Sequence, residues 1–194
     1  YIATGQTGSK FGFPLEGSML TDAVTYAMKS ELLDLRGLHF HVGSQIFDTD
    51  DYIKSLEKIL ELMKTLKDSL GFTTHELNIG GGFGAVINPA IESMKSEFYT
   101  DPIMKKLYEE CSRLGLEVPR IILEPGRWIV SEAGITIYRV ENIKELPGVT
   151  YIAVNGGMAD NPRVALYNAE YNAVSVSDPE GAIYNREGNT HVSI

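Results

Sequence analysis

Cysteine occurs once in the 194 residues, as Cys111. A disulfide framework and a cysteine-built metal centre are both excluded within one chain. Positive charge is also in short supply, with 17 Lys and Arg against 26 Asp and Glu and a net charge of −9. A nucleic-acid partner, whose phosphates call for a basic surface, is disfavoured on that count. No apolar run approaches the length needed to span a bilayer, so a membrane partner is not expected, and the opening YIATGQTGSKFGF has no signal-peptide character. Internal repeats, low-complexity tracts and flexible linkers are missing too. What remains reads as a soluble, cytoplasmic protein with 43% hydrophobic residues, enough for a sizeable core in one or two domains. The chain opens without methionine and stops at NTHVSI, in what reads as the middle of a strand, so both ends are expected to be cuts through a longer polypeptide.

From residue 15 to about 130 the pattern alternates helix and strand. EGSMLTDAVTYAMKS carries Leu20, Val24, Ala27 and Met28 at helical spacing. DTDDYIKSLEKILELMKTLKDSLG is a stronger amphipathic helix. Its aspartates sit at the positive end, Leu56, Ile59, Leu60, Met63, Leu66 and Leu70 form a wide stripe, and Gly71 stops it. Asn88-Pro89 is expected to open one helix and Asp101-Pro102 another, the latter carrying Ile103, Leu107, Cys111 and Leu114. Between the helices, LRGLHFHVGS, HELNIGGG and PRIILEPGR read as strands ending near residues 43, 80 and 124. One βα unit about every 40 residues is the grammar of a parallel α/β fold, either a doubly wound sheet or a (β/α)8 barrel. After Gly134 the grammar changes. ITIYRVENIKE, VTYIAVNGG, NAVSVSD, GAIYNRE and THVSI are β-branched and alternating, with turn residues between them and no convincing amphipathic helix, so a second, mostly antiparallel β domain is expected.

Each α/β strand ends in unusual residues: HFHVGSQ, NIGGGFG and EPGR. In parallel α/β folds ligands sit at the carboxyl ends of strands, so the three endings should converge. Three glycines after a buried strand suit close approach of a phosphate to the backbone, and equally a tight strand-to-helix turn with no ligand. Alternation puts Leu38, Phe40 and Val42 on one face of the first strand and His39 and His41 on the other. His39 reads as a hydrogen-bonded core histidine, whereas His41, just before Gly43 and Ser44, can reach a ligand. A His-x-His pair could also hold a metal, but the further ligands such a site needs are not in evidence: His75 lies at the wrong end of its strand and His191 in the β region. No metal is expected. Glu124 and Arg127 flank a Pro-Gly turn. Alone they suggest a local ion pair; beside a glycine cradle, the carboxylate could accept a proton from a ring nitrogen and the arginine could meet an anion.

Taken together, TGQTGSKFGF, GLHFHVGSQI, NIGGGFG, EPGR and NGGMADNPRVALY resemble, in order and spacing, the alanine-racemase-like (fold type III) pyridoxal-phosphate decarboxylases, and among them the diaminopimelate-decarboxylating branch. The resemblance implies the C-terminal part of a (β/α)8 TIM barrel, about three of its eight strands, over residues 1–134, and the start of a β domain over 135–194. It implies pyridoxal 5'-phosphate as cofactor. Gly80, Gly81, Gly82 and Ser44 would cradle the phosphate, His41 would stack on the ring, and Glu124 would pair with its nitrogen. Pro125, Gly126 and Arg127 would complete the cofactor loop. Arg127, with Arg163 and Tyr167, would bind substrate carboxylate. His41 and Glu124 would be the catalytic residues present.

By the same resemblance, the reaction would be decarboxylation of meso-2,6-diaminopimelate to L-lysine in lysine biosynthesis, by a homodimer with shared active sites. The lysine that holds the cofactor covalently and a Cys-Glu pair would lie outside this chain, which would leave the chain alone inactive and marginally folded. Asn155 and Val164 depart from the family pattern, which has aspartate and proline there. Three alternatives stand beside this reading: a decarboxylase for ornithine, arginine or carboxynorspermidine, a non-catalytic pyridoxal-phosphate-binding protein, or a nucleotide-binding α/β domain. The last fits poorly, because GGGFG is a poor match to G-x-G-x-x-G.

Overall fold

The computed structural model describes residues 10–86, 94–169, 171 and 173–182. The chain divides into two compact units, Tyr1–Ala85 with Ser93–Val130, and Val86–Glu92 with Ser131–Ile194.

The first unit alternates helix and strand: α1 (Met19–Lys29), β1 (Gly37–His39), α2 (Asp50–Leu70), β2 (Glu76–Asn78), α3 (Ser96–Leu114), β3 (Arg120–Ile122) and α4 (Gly126–Val130). The strands form one parallel sheet in the order β1-β2-β3. Its register sets Leu38, Leu77 and Ile121 in one row and His39, Asn78 and Ile122 in the next. Because side chains alternate, the first row faces α2 and α3, and the second faces away from them.

Helix α2 forms where its sequence pattern predicts. Asp50 and Asp51 occupy the first turn, Tyr52, Leu56, Ile59, Leu60, Met63 and Leu66 are buried, and Gly71 ends it in the left-handed conformation at φ 70°. Its stripe meets that of α3, made of Tyr99, Ile103, Leu107 and Cys111, over Leu77 and Ile79 of the sheet. Helix α3 departs from expectation. It starts at Ser96, and Pro102 lies inside it rather than at its first turn. The missing N–H at Pro102 sacrifices one helical hydrogen bond, but starting at Ser96 places the fully buried Tyr99 on the same stripe as Ile103. Packing outweighs the local proline signal.

His39 also differs from expectation, being exposed rather than in the core. The helix expected at Asn88-Pro89, and the segment 190–194 with His191, lie outside the described residues.

The second unit holds a hairpin, β4 (Val140–Leu146) with β5 (Val149–Val154), and a shorter antiparallel pair, β6 (Val174–Ser175) with β7 (Asp178–Ala182). Pro147-Gly148 makes the hairpin turn, with Gly148 at φ 83°. Asn155 prolongs the ladder: its N–H donates to the Arg139 carbonyl, and its Oδ1 accepts the Arg139 N–H at 2.7 Å. A five-residue helix, α5 (Arg163–Tyr167), interrupts the strands where none was expected. The fold is thus α/β with a parallel three-stranded sheet, followed by antiparallel pairs. Among the described residues no helix is long and apolar enough to cross a membrane.

Candidate active site

The second row of the sheet continues past the strand ends. Two residues beyond His39, Asn78 and Ile122 stand His41, Gly80 and Glu124, and the structure brings these three together. The Glu124 N–H donates to the Gly80 carbonyl at 2.8 Å, and the Gly81 N–H donates to His41 Nδ1 at 3.2 Å. Asn78 Nδ2 donates to Glu124 Oε1 at 2.6 Å while its Oδ1 accepts the Gly80 N–H at 2.9 Å.

The three glycines are explained first by packing. A Cβ on Gly81 would sit 2.0 Å from the Glu124 carbonyl oxygen, and one on Gly82 2.1 Å from that of Gly43. Gly80 would meet the Phe40 carbonyl and His41 Nδ1 at 2.7 Å. Gly80 and Gly82 also carry positive φ, 71° and 102°. The missing side chains are therefore occupied by neighbouring loops. Of the three N–H groups, those of Gly80 and Gly81 are already bonded within the chain, and only that of Gly82 has no acceptor among the described residues.

His41 receives a hydrogen bond at Nδ1, so its neutral form carries the proton on Nε2. Burial of part of the ring, and then the neighbouring His39, hold its pKa below the ordinary histidine range, against an opposing pull from Glu124. The site therefore presents a neutral imidazole beside an exposed carboxylate.

Several residues that the sequence did not single out hold the loops in place. Tyr52, from α2, donates to the Gly81 carbonyl at 2.9 Å. Tyr99, from α3, donates to the Ile46 carbonyl at 2.8 Å and accepts the Gly84 N–H at 3.0 Å, with its ring stacked on Phe83 at 4.2 Å between centroids. Gln45, at φ 60°, clamps Ala85 with both ends of its amide, at 3.0 and 3.1 Å. Both tyrosines lie on the buried stripes of the observed helices, and nothing in the sequence pattern reveals what their hydroxyls do.

The remaining predicted residues are placed as follows. Ser44 follows Gly43, whose carbonyl lies against Gly82. Pro125 immediately precedes α4, and Gly126 and the half-buried Arg127 are its first two residues. In the second unit, Arg163 lies over the ring of Tyr167, 5.4 Å from its centroid, one turn apart on α5. Cys111 is buried in the α3 stripe, its thiol pushed up by burial and then by Glu110, away from the strand ends. No group of three His, Cys, Asp or Glu among the described residues is arranged to hold a metal.

The donor set fits pyridoxal phosphate. A fixed carboxylate suits a ring nitrogen, a neutral imidazole suits an aromatic face, and an N–H and a hydroxyl at a strand end suit a phosphate.

Residues 1–131 match the family model of the pyridoxal-dependent decarboxylases, pyridoxal binding domain. The chain is 43% identical over 192 residues to diaminopimelate decarboxylase of Bacillus subtilis, which covers 98% of this chain and 42% of that protein. Among solved structures it is similar to diaminopimelate decarboxylase from M. jannaschii in complex with L-lysine, with a TM-score of 0.75 and 30% identity over 85% of this chain and 37% of that one. It is also similar to the Helicobacter pylori enzyme complexed with L-lysine, with a TM-score of 0.70 and 32% identity over 88% of this chain and 40% of that one. The chain spans about two fifths of the length of the relatives it matches. It belongs to the pyridoxal-dependent decarboxylase family, with diaminopimelate decarboxylases among its homologues.

Proposed function

We propose that the whole protein decarboxylates meso-2,6-diaminopimelate to L-lysine and CO2, as a cytoplasmic homodimer whose subunits share their active sites. In this reading residues 1–134 are part of a (β/α)8 barrel and 135–194 part of a β domain. The observation that carries the proposal is the meeting of Glu124, His41 and the glycine loop at the carboxyl ends of three parallel strands.

Pyridoxal phosphate, when bound, supplies the sink for the electron pair that departing CO2 leaves behind. The chain's residues supply the rest. Glu124 holds a proton at the ring nitrogen, which strengthens that sink. His41, whose pKa is held below the ordinary histidine range, would lay its imidazole against the ring without setting a second positive charge beside it. Gly82 N–H and the Ser44 hydroxyl bind the phosphate; Gly80 and Gly81, with Pro125, Gly126 and Arg127, shape the cradle around it. Arg127 and the Arg163–Tyr167 pair bind substrate carboxylate. A distal carboxylate survives the reaction of diaminopimelate and is absent from a simple diamine product, so a distal arginine favours the former substrate.

The test is turnover of the whole protein with added cofactor, on diaminopimelate and on ornithine. Diaminopimelate should be preferred. Arg163→Ala should lower kcat/KM for it by roughly 30- to 1000-fold, the loss of a charge-assisted contact of about 2–4 kcal/mol. Glu124→Gln should retain cofactor and lose turnover. Equal kcat/KM for the two substrates would overturn the substrate assignment, and full turnover by Glu124→Gln would overturn the role of the carboxylate.

A further inference from the structure

The strand ends are joined by a closed ring of three hydrogen bonds that passes through Asn78. Asn78 Oδ1 accepts the Gly80 N–H at 2.9 Å, the Gly80 carbonyl accepts the Glu124 N–H at 2.8 Å, and Glu124 Oε1 accepts from Asn78 Nδ2 at 2.6 Å. The direction around the ring is forced. A backbone N–H can only donate, so Oδ1 must face Gly80, and Nδ2 is left to face the carboxylate.

We propose that Asn78 is a positioning residue for Glu124, fixing its carboxylate and the first turn of the glycine loop as one unit before the cofactor binds. The proposal rests on the reading of Glu124 as partner of the ring nitrogen. Glu124 is exposed and has three rotatable side-chain bonds; without a fixed donor its carboxylate would sample several rotamers. Asn78 holds Oε1, which would leave Oε2 for the ring nitrogen of the bound cofactor. The neighbours in its row cannot replace it. Ile122 offers no donor, and His39 lies across the ladder on β1.

The ring also explains why an amide is needed. Aspartate would keep the acceptor for Gly80 but set two carboxylates against each other at the contact now 2.6 Å long. Leucine would supply neither bond, and glutamine, one methylene longer, would not close the ring.

The experiment is a double-mutant cycle in the whole protein with Asn78→Ala and Glu124→Gln, together with Asn78→Asp, reading kcat and KM. Affinity of the apoprotein for pyridoxal phosphate is read separately by fluorescence titration. Asn78→Ala should lower kcat about 10-fold in the native background and less than about 2-fold beside Glu124→Gln, because it then positions a group that no longer acts. Asn78→Asp should keep cofactor affinity within about 3-fold and KM within about 2-fold, while kcat falls at least about 10-fold. Unaltered kcat in Asn78→Asp, or the same loss from Asn78→Ala in both backgrounds with Glu124→Gln itself impaired, would overturn the role of Asn78 alone. Full kcat in Glu124→Gln would overturn the reading beneath it, and this proposal with it.

Discussion

The two units of the chain are similar in their share of apolar residues, yet among the described residues only the first has a core. In the first, a continuous cluster from Ile46 through Cys111 is buried between α2, α3 and the sheet. In the second, none of the described residues is buried, and Ile135, Ile137, Val140 and Ile143 are all exposed. Alternation and β-propensity are enough to pair β4 with β5 through the backbone. A core needs a second layer, and the helices of the first unit bring one. The candidate catalytic residues of the sheet stand on the packed unit, where helices more than a dozen residues away in sequence can hold their loops.

The largest test of this contrast is truncation. Leu107→Ala, at a fully buried position of α3, should cost about 2–5 kcal/mol in denaturant unfolding, whereas Ile143→Ala on the hairpin should stay within about 0.5 kcal/mol. Comparable losses would mean that the hairpin has a covered face after all.

Glycine replacement sharpens the comparison. A Cβ at Gly81 meets backbone, the Glu124 carbonyl, at 2.0 Å; one at Gly156 meets the Tyr138 ring, also at 2.0 Å. Backbone at a packed strand end cannot step aside, but a tyrosine ring can swing. Gly81→Ala should therefore destabilise by about 2–3 kcal/mol and weaken cofactor binding, and Gly156→Ala should do neither to a comparable degree.

Removing single hydroxyls asks how far the helices hold the site. Tyr52→Phe should cost about 1–2 kcal/mol and loosen cofactor binding, because it removes the donor to the Gly81 carbonyl. Tyr99→Phe should cost less, about 0.5–1 kcal/mol, because the Ile46 carbonyl keeps the Gly84 N–H. Loss of stability with unchanged cofactor affinity would separate fold from site.

The smallest effect is acid sensitivity at His41. Its folded pKa lies below the ordinary value of 6.5, so as pH falls through that value the unfolded chain takes up the proton first. Stability should decline from pH 7.5 towards the folded pKa, and His41→Gln should remove part of that decline in Tm. An identical pH dependence in the variant would assign the acid sensitivity elsewhere.

Much of this was legible in the sequence. The stripe of α2, the parallel βα order and the meeting of the three strand ends all follow from spacing, because each reflects one repeating geometry. The start of α3 was not legible, since Asp101-Pro102 mimics a helix opening and only the buried Tyr99 shows that the helix begins earlier. Asn78 looked like an ordinary strand residue, and its amide acquires meaning only when Glu124, 46 residues later, is brought within 2.6 Å. Gln45 was equally silent, because its clamp joins two loops that sequence cannot align.

Tyr99 reaches from α3 to both loops at once, bonding the Ile46 carbonyl and the Gly84 N–H, while the Ile46 N–H is itself bonded to Gly82. Strand-end loops ordinarily let their amide protons trade with solvent in small local openings. Here the Gly84 proton is buried and bonded to a helix side chain, the Ile46 proton is buried and bonded to the Gly82 carbonyl beside it, and release of that helix would open the whole cluster. Their exchange with deuterium should track the slowest protons of α2 and α3, making these strand-end loops as long-lived as the core that carries them.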